Sequence, residues 1–494
     1  MQRMQLAGTL VLLACTIALA GCGGTRIDAA VSGAVTASAD RVTGSSTAAA
    51  SVSTEVRESL ALAQPAVADP ADLGDWPCFL GPTHNSVSTE SPDDVLTEWP
   101  AAGPPELWRI ACGEGYSTPL IRDGRLVLFH RVGNEEVLEC LDAESGQPLW
   151  RFSYPTAYQC SVAYSSGPYS TPVLTEDRVY AMGAEGQFLC LDIESGELLW
   201  QRDLHDEYCV TLDGFYPVAA SPLLEEDRLI LNLGGSDLEA GVIALDAATG
   251  RTLWHAGRRH YSYATPTAAT VRGERLVFVW AREALLCLRP ATGEVLWEHP
   301  FSTNNKDRMQ ATAPAVWGNL VLLTGYAQGS VCLHLLDRDC SEEIWRDPKT
   351  LDVQYNNLLL SGGFAYGLGS IDNCLRCVDI TTGQLVWKSR WRSGRGAWSI
   401  AVGDRMILWG EKGHLGSMVI DPSRPTPLSM TEKPLLEGPC FPAPALSGGR
   451  LYLRNNDTLL CLNLRKEASH SEVASPTPHA SFALLSTPQK VPKP

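Results

Sequence analysis

The sequence predicts an all-β fold, an eight-bladed β-propeller of four-stranded antiparallel blades with its ring closed by an N-terminal outer strand. Three observations predict it. A hairpin motif recurs along the chain, a second strand pair precedes each copy, and a tryptophan returns at blade-length intervals. The hairpin reads LCLDIESGELLW over 189–200, LECLDAESGQPLW over 138–150 and IALDAATGRTLW over 243–254. Two further copies are LCLRPATGEVLW over 286–297 and RCVDITTGQLVW over 376–387. In each copy a short apolar strand ends on a residue, usually Asp, whose side chain can accept turn N–H groups. A Gly then supplies positive φ, and the return strand begins at Leu-Trp or Val-Trp.

The upstream pair is equally regular. Tyr116-Ser117-Thr118-Pro119, Tyr169-Ser170-Thr171-Pro172, Ala220-Ser221-Pro222 and Tyr263-Ala264-Thr265-Pro266 each precede a strand, a polar Asp/Gly/Arg turn and a second strand. Pro is tolerated at a strand start because no ladder donor is needed there. Inner strands are expected near Pro119, Pro172, Pro222, Pro266, Pro314, Leu358, Ser399 and Pro444. Outer strands carry Trp108, Trp150, Trp200, Trp254, Trp297, Trp345 and Trp387, with Leu428 as a degenerate eighth. Trp108 has no hairpin before it, and the last strand pair has no Trp strand after it. The N-terminal strand therefore completes the C-terminal blade, which removes two open sheet edges.

The ends read differently. Residues 1–21 form a leader with Arg3 as its only charge and an apolar run too short for a comfortable span. It ends in Leu19-Ala20-Gly21-Cys22, which resembles the lipobox of bacterial lipoproteins. That resemblance implies cleavage before Cys22 and acylation there, and several acyl chains give stable anchoring. Gly23 after the Cys resembles the signal for outer-membrane sorting, with the propeller in the periplasm. Residues 22–70 read as a disordered tether, 71–105 as an N-terminal clasp, 106–465 as the propeller and 466–494 as a disordered tail. Net charge is −17, and −18 without the leader's single Arg, which disfavours nucleic acid.

The hairpin motif resembles the repeat of the pyrroloquinoline-quinone (PQQ) propeller superfamily, over about residues 106–465. The resemblance implies that each outer Trp docks between adjacent blades. It also implies two function classes. One is a non-enzymatic group similar to BamB, a lipoprotein that assists outer-membrane protein assembly. The other is a quinone-dependent dehydrogenase holding PQQ and Ca²⁺ in the central funnel. Those enzymes carry a disulfide between adjacent cysteines, and this sequence has no Cys-Cys pair. Cys374 and Cys377 lack the His of a haem-attachment motif, and Asp213, Asp307 and Asp372 read as turn formers. No catalytic set, zinc pair or phosphate cradle stands out. The expectation is a non-enzymatic scaffold, without cofactor, that binds cell-envelope proteins such as outer-membrane assembly machinery. A ligand-sensing or adhesion module is a third class.

Cys140, Cys190, Cys287, Cys377 and Cys461 share one repeat position, where Ala244 also occurs, so they are expected to be core thiols. Cys160 and Cys209, in consecutive inter-blade loops, are candidates for a disulfide in an oxidising compartment. The loops after the outer strands open at one end of the channel and hold Tyr154, Tyr158, Tyr164, Tyr169, Tyr216, Tyr261 and Tyr263. Arg258, Arg259, His260, Lys306, Arg308, Arg392 and Arg395 there make a candidate basic mouth for an anionic or extended peptide ligand. The competing reading pairs these cations with loop acids such as Asp203, Asp206 and Glu207.

Overall fold

A computed structural model describes residues 74–162, 164–210, 216–302, 310–337, 340–392 and 394–466. The leader, Cys22, the tether and the tail from 467 lie outside the described residues. Among those described, no helix is long and apolar enough to cross a membrane.

The ring is the expected one: eight sheets of four antiparallel strands. The first seven blades follow one another, with inner strands at Leu120–Arg122, Val173–Leu174, Leu223–Glu225, Thr267–Val271, Ala315–Trp317, Leu359–Ser361 and Ala397–Val402. The eighth blade starts at Ala445–Ser447 and takes its outer strand, Glu106–Ala111, from the other end of the chain. Pairing of that strand with Thr458–Asn463 closes the ring. In six blades the inner strand starts just after a motif Pro, where the missing N–H costs nothing.

The repeat hairpin explains its own sequence. Asp192 Oδ1 accepts the N–H groups of Glu194 and Ser195 at 3.0 and 2.8 Å, which holds the turn. Gly196 sits at φ 73°, and a Cβ there would stand 2.6 Å from the Trp150 ring of the preceding blade. The glycine thus serves both the turn and the seat of a neighbour's indole. Opposite the Trp on the same sheet stands the small repeat residue: Cys140 faces Trp150, Cys190 faces Trp200, Ala244 faces Trp254 and Cys377 faces Trp387. Cys332 faces Trp345 and belongs to the same series, although the sequence motif there is blurred. A register shift follows this residue in each pair. Such a bulge increases local twist.

Three devices then join blade to blade. The Trp150 indole donates to the Ile193 carbonyl at 2.8 Å, and Trp200, Trp254, Trp345 and Trp387 do the same to Ala247, Pro290, Ile380 and Asp421. Arg125 reaches Glu194 at 2.6 Å, and Arg178 reaches the Ala248 carbonyl at 2.9 Å. Around the channel, the Thr118 N–H donates to the Thr171 hydroxyl, Thr171 to Ser221 and Ser221 to Thr265, each at 3.0 Å. This relay gives a role to the hydroxyls before Pro172, Pro222 and Pro266.

The seam and the seventh blade depart from the pattern. Trp108 packs against Gly146, but the Ala143 carbonyl in that turn accepts from the Tyr452 hydroxyl at 3.0 Å. The Trp108 indole N–H is buried without a partner. In the seventh blade the register places Ser417 opposite Ser429, so Ser429, and not Leu428, occupies the position of the repeat Trp. The sequence pattern misplaced it by one residue because Leu428 resembles the apolar residue before each Trp.

Residues 74–99 repair both departures. Trp76 pairs with Ile121 through two 3.0 Å bonds, Leu174 donates to the Pro77 carbonyl at 2.8 Å, and Ala401 exchanges bonds with Ser86 and Ser88. Ser447 donates to the Gly74 carbonyl at 2.8 Å. These are inner strands of the first, second, seventh and eighth blades. Inner strand edges face the channel, so the segment bonded to them lies within it. Farther along, the Trp99 N–H and carbonyl bracket the Ser429 hydroxyl at 2.8 and 3.1 Å, and buried Ser417 donates to the Thr97 carbonyl at 2.5 Å. Trp76, Leu80, Val95 and Trp99 share one apolar core with the blades on both sides of the seam.

Candidate functional site

Each inner strand runs from the Tyr-Ser-Thr-Pro side of the ring to its polar turn. Residues 74–88 sit at the turn end, since Asp75 accepts from the Asp123 N–H at 3.2 Å. The opposite end is formed by the loops before the inner strands and is lined with rings. Tyr116 lies 4.3 Å from Tyr169 and 5.0 Å from Phe441 between centroids. Tyr164 stands 5.4 Å from Tyr216 and 5.7 Å from Phe441, and Tyr355 is 5.2 Å from Phe441. Tyr216 continues to Tyr263 at 5.7 Å, and Tyr263 to Tyr261 at 6.1 Å. Edge-on and tilted contacts at these spacings are favourable ring geometries. Burial raises the Tyr116 hydroxyl above its ordinary pKa and pushes Tyr216 up to about 12, so both stay neutral.

Phe441 and Tyr355 were absent from the sequence-derived mouth. They are not in a Tyr-Ser-Thr-Pro motif, and only ring closure brings the eighth blade against the first. Tyr154 is part of a buried contact instead. Its hydroxyl donates to Glu136, which also accepts from the Ala184 N–H of the next blade at 3.0 Å.

Three of the mouth cations are paired in place. Arg258 bonds Glu239, Arg259 bonds Glu298, and His260 Nδ1 lies 2.6 Å from Glu283. These are not the acids that the sequence suggested. Glu207 pairs with Arg202, while Asp203 caps the short helix Leu204–Glu207 by accepting from the Asp206 N–H. Arg392 and Arg395 are exposed, and the Arg395 N–H donates to Glu411 at 2.6 Å. Lys306 and Arg308 lie outside the described residues, as do Asp213 and Asp307. Arg258, Arg259 and His260, each already beside a carboxylate, add little field for an anion.

The cysteines fall into two groups. Burial pushes Cys140, Cys287, Cys377 and Cys461 up to about 12 and Cys190 to about 11, so these thiols are protonated and inert. Cys160 and Cys209 stand as separate thiols rather than a disulfide. Cys209 is exposed with φ 52° just after the short helix, and Cys160 lies beside Tyr158 and Tyr169.

The residues present can be tested against a quinone and its calcium ion. Calcium needs six to eight oxygen ligands, several of them carboxylates. Among the described residues no three His, Cys, Asp or Glu side chains gather as a metal site. The ring end carries packed tyrosines where such a donor set would be needed. The described residues at that end are phenols rather than the carboxylates a calcium ion takes.

Comparison with known proteins agrees with the architecture. The family described as outer membrane protein assembly factor BamB matches residues 133–389, just over half of the chain. No curated protein matches. Among solved structures, BamB from Moraxella catarrhalis superposes with a TM-score of 0.53 at 14% identity, covering 73% of this chain and 100% of that one. The quinohemoprotein alcohol dehydrogenase from Comamonas testosteroni gives 0.53 at 14% identity and covers 84% of each chain. The computationally designed Ika8 protein gives 0.52 at 13% identity, over 73% of this chain and all of its own. A shared ring at such low identity speaks for fold alone, since one fold hosts many functions. With its repeat, its bladed ring and the family match in agreement, the chain belongs to the PQQ-like β-propeller family that includes BamB.

Proposed function

We propose that this protein is a non-enzymatic scaffold of the bacterial cell envelope, tethered to the outer membrane through acylated Cys22, that binds other envelope proteins in the manner of an assembly factor. One observation carries this reading: the channel is occupied at its turn end by residues 74–88 and ringed with packed tyrosines at the other. Tyrosine-rich surfaces bind proteins well, because each ring gives a large rigid contact at low entropic cost. A quinone-dependent dehydrogenase is the competing reading, and the Comamonas structure keeps it in view as a shared fold.

One experiment separates the two. The protein is incubated with PQQ and Ca²⁺, freed of excess, and examined for quinone absorbance and alcohol-dependent dye reduction. The scaffold reading expects neither. Retained quinone with turnover would overturn it. Pull-down from envelope extracts should recover a partner that Tyr164→Ala weakens. Mass spectrometry of the mature protein should find an acylated Cys22 at its first position, and Cys22→Ser should leave the protein unanchored.

A further inference from the structure

The mouth carries chemistry that protein binding leaves unexplained. Its patch is built from tyrosines with one phenylalanine, and Tyr164 is 43% exposed at its centre. Rings in this patch offer flat faces and hydroxyls rather than aliphatic wells. Its loop cations Arg258, Arg259 and His260 are already held by carboxylates. Neutral hydrogen-bonding groups accompany the rings. Asn356, next to Tyr355, is 1% exposed, and neither its amide oxygen nor its amide nitrogen has a partner. The Tyr355 hydroxyl is buried and unpartnered too. Both stand against Gly396, at the same spot. Gln310, whose carbonyl accepts the Tyr263 N–H at 2.8 Å, is 1% exposed with its side-chain oxygen unpartnered. Each such group costs about 1–3 kcal/mol unless water or a ligand satisfies it.

We propose that the tyrosine end of the channel is a binding site for an uncharged polysaccharide. A pyranose ring has a C–H face that packs on an aromatic ring and an edge of hydroxyls that both donate and accept. An amide with both atoms unpartnered, beside a phenol, matches neighbouring sugar hydroxyls in both senses. Such a ligand needs no ion pair, and Arg258, Arg259 and His260 already hold theirs. An apolar peptide would instead seek a pocket for an anchoring side chain. This site shares Tyr164 with the protein-binding reading and does not depend on it: the polysaccharides are added to the purified chain, so failure of the pull-down and failure of the titration are read separately.

The test is titration calorimetry of the full chain with laminarin, dextran and mannan, alongside a decaproline peptide. Binding to at least one of the three polysaccharides is expected. Its Kd should be insensitive to raising NaCl from about 50 to about 500 mM, as for an uncharged ligand. Tyr164→Ala should raise that Kd about tenfold, whereas Tyr164→Phe, which keeps the ring, should stay within about threefold. Circular dichroism checks that both variants are folded, as expected for an exposed position. No heat with any of the three polysaccharides would overturn the proposal. So would an affinity that Tyr164→Ala leaves unchanged, steep salt dependence, or binding of decaproline in place of the polysaccharides.

Discussion

The second and seventh blades share a topology and are stabilised in different ways. In the second, every special residue answers a local need. Asp192 holds the turn, Gly196 seats the neighbour's indole, Cys190 leaves room opposite Trp200, and Trp200 reaches the third blade. The seventh blade has Ser417 for the Cys and Ser429 for the Trp, and so lacks the anchor. Residues 97–99, more than 300 positions earlier, supply its missing contacts. A repeat can decay where a distant segment takes over its work. The cost is that stability there depends on chain that is not part of the blade.

The comparison can be broken most severely at Trp76. It is 1% exposed and lies in the core that spans the seam. Trp76→Ala should cost about 3–5 kcal/mol, measured by denaturant unfolding, with amide exchange rising first in the first, seventh and eighth blades. A uniform rise around the ring would show that the clasp does not act at the seam. Gly196→Ala tests the regular side. Its φ of 73° and the Trp150 ring 2.6 Å from the new Cβ should together cost about 2–3 kcal/mol, with faster exchange confined to the first and second blades.

Ser417→Ala is a smaller perturbation. It leaves the Thr97 carbonyl without its donor and should cost about 1 kcal/mol. The matching change Cys190→Ala should cost less than Trp200→Ala, because that thiol makes way for an indole. The smallest effect is one of pH. Burial raises the Glu136 carboxyl above its ordinary value. The folded state therefore binds its proton more tightly than the unfolded chain. This contribution is fully present below the ordinary carboxylate range and is lost as pH rises through the raised value. Glu136→Gln should flatten that decline in a melting-temperature profile, and an identical slope in both proteins would exclude the assignment.

Legibility followed the periodicity. Strand boundaries, blade number and ring closure were readable because a Gly, an Asp and a Trp each meet a need that recurs in every blade. Cys332 and Ser429 escaped because the motif around them is eroded, and their positions are set by register rather than by identity. At the mouth, Tyr164, Tyr169, Tyr216 and Tyr263 were found as loop residues, while Tyr116 was read only as part of its strand-start motif. Phe441 and Tyr355 were not, since nothing in their neighbourhood repeats. The basic character assigned to Arg258, Arg259 and His260 ignored Glu239, Glu298 and Glu283, which come from other strands and turns.

By itself, the sequence determined the ring, since four-stranded blades with an indole wedge have one economical way to bury their faces. Tertiary structure alone decided what fills the channel, which acids stand beside Arg258, Arg259 and His260, and that residues 74–99 bridge the seam. Those outcomes depend on contacts between segments tens to hundreds of residues apart. No local preference encodes such contacts; they exist only once the closed ring brings the segments together.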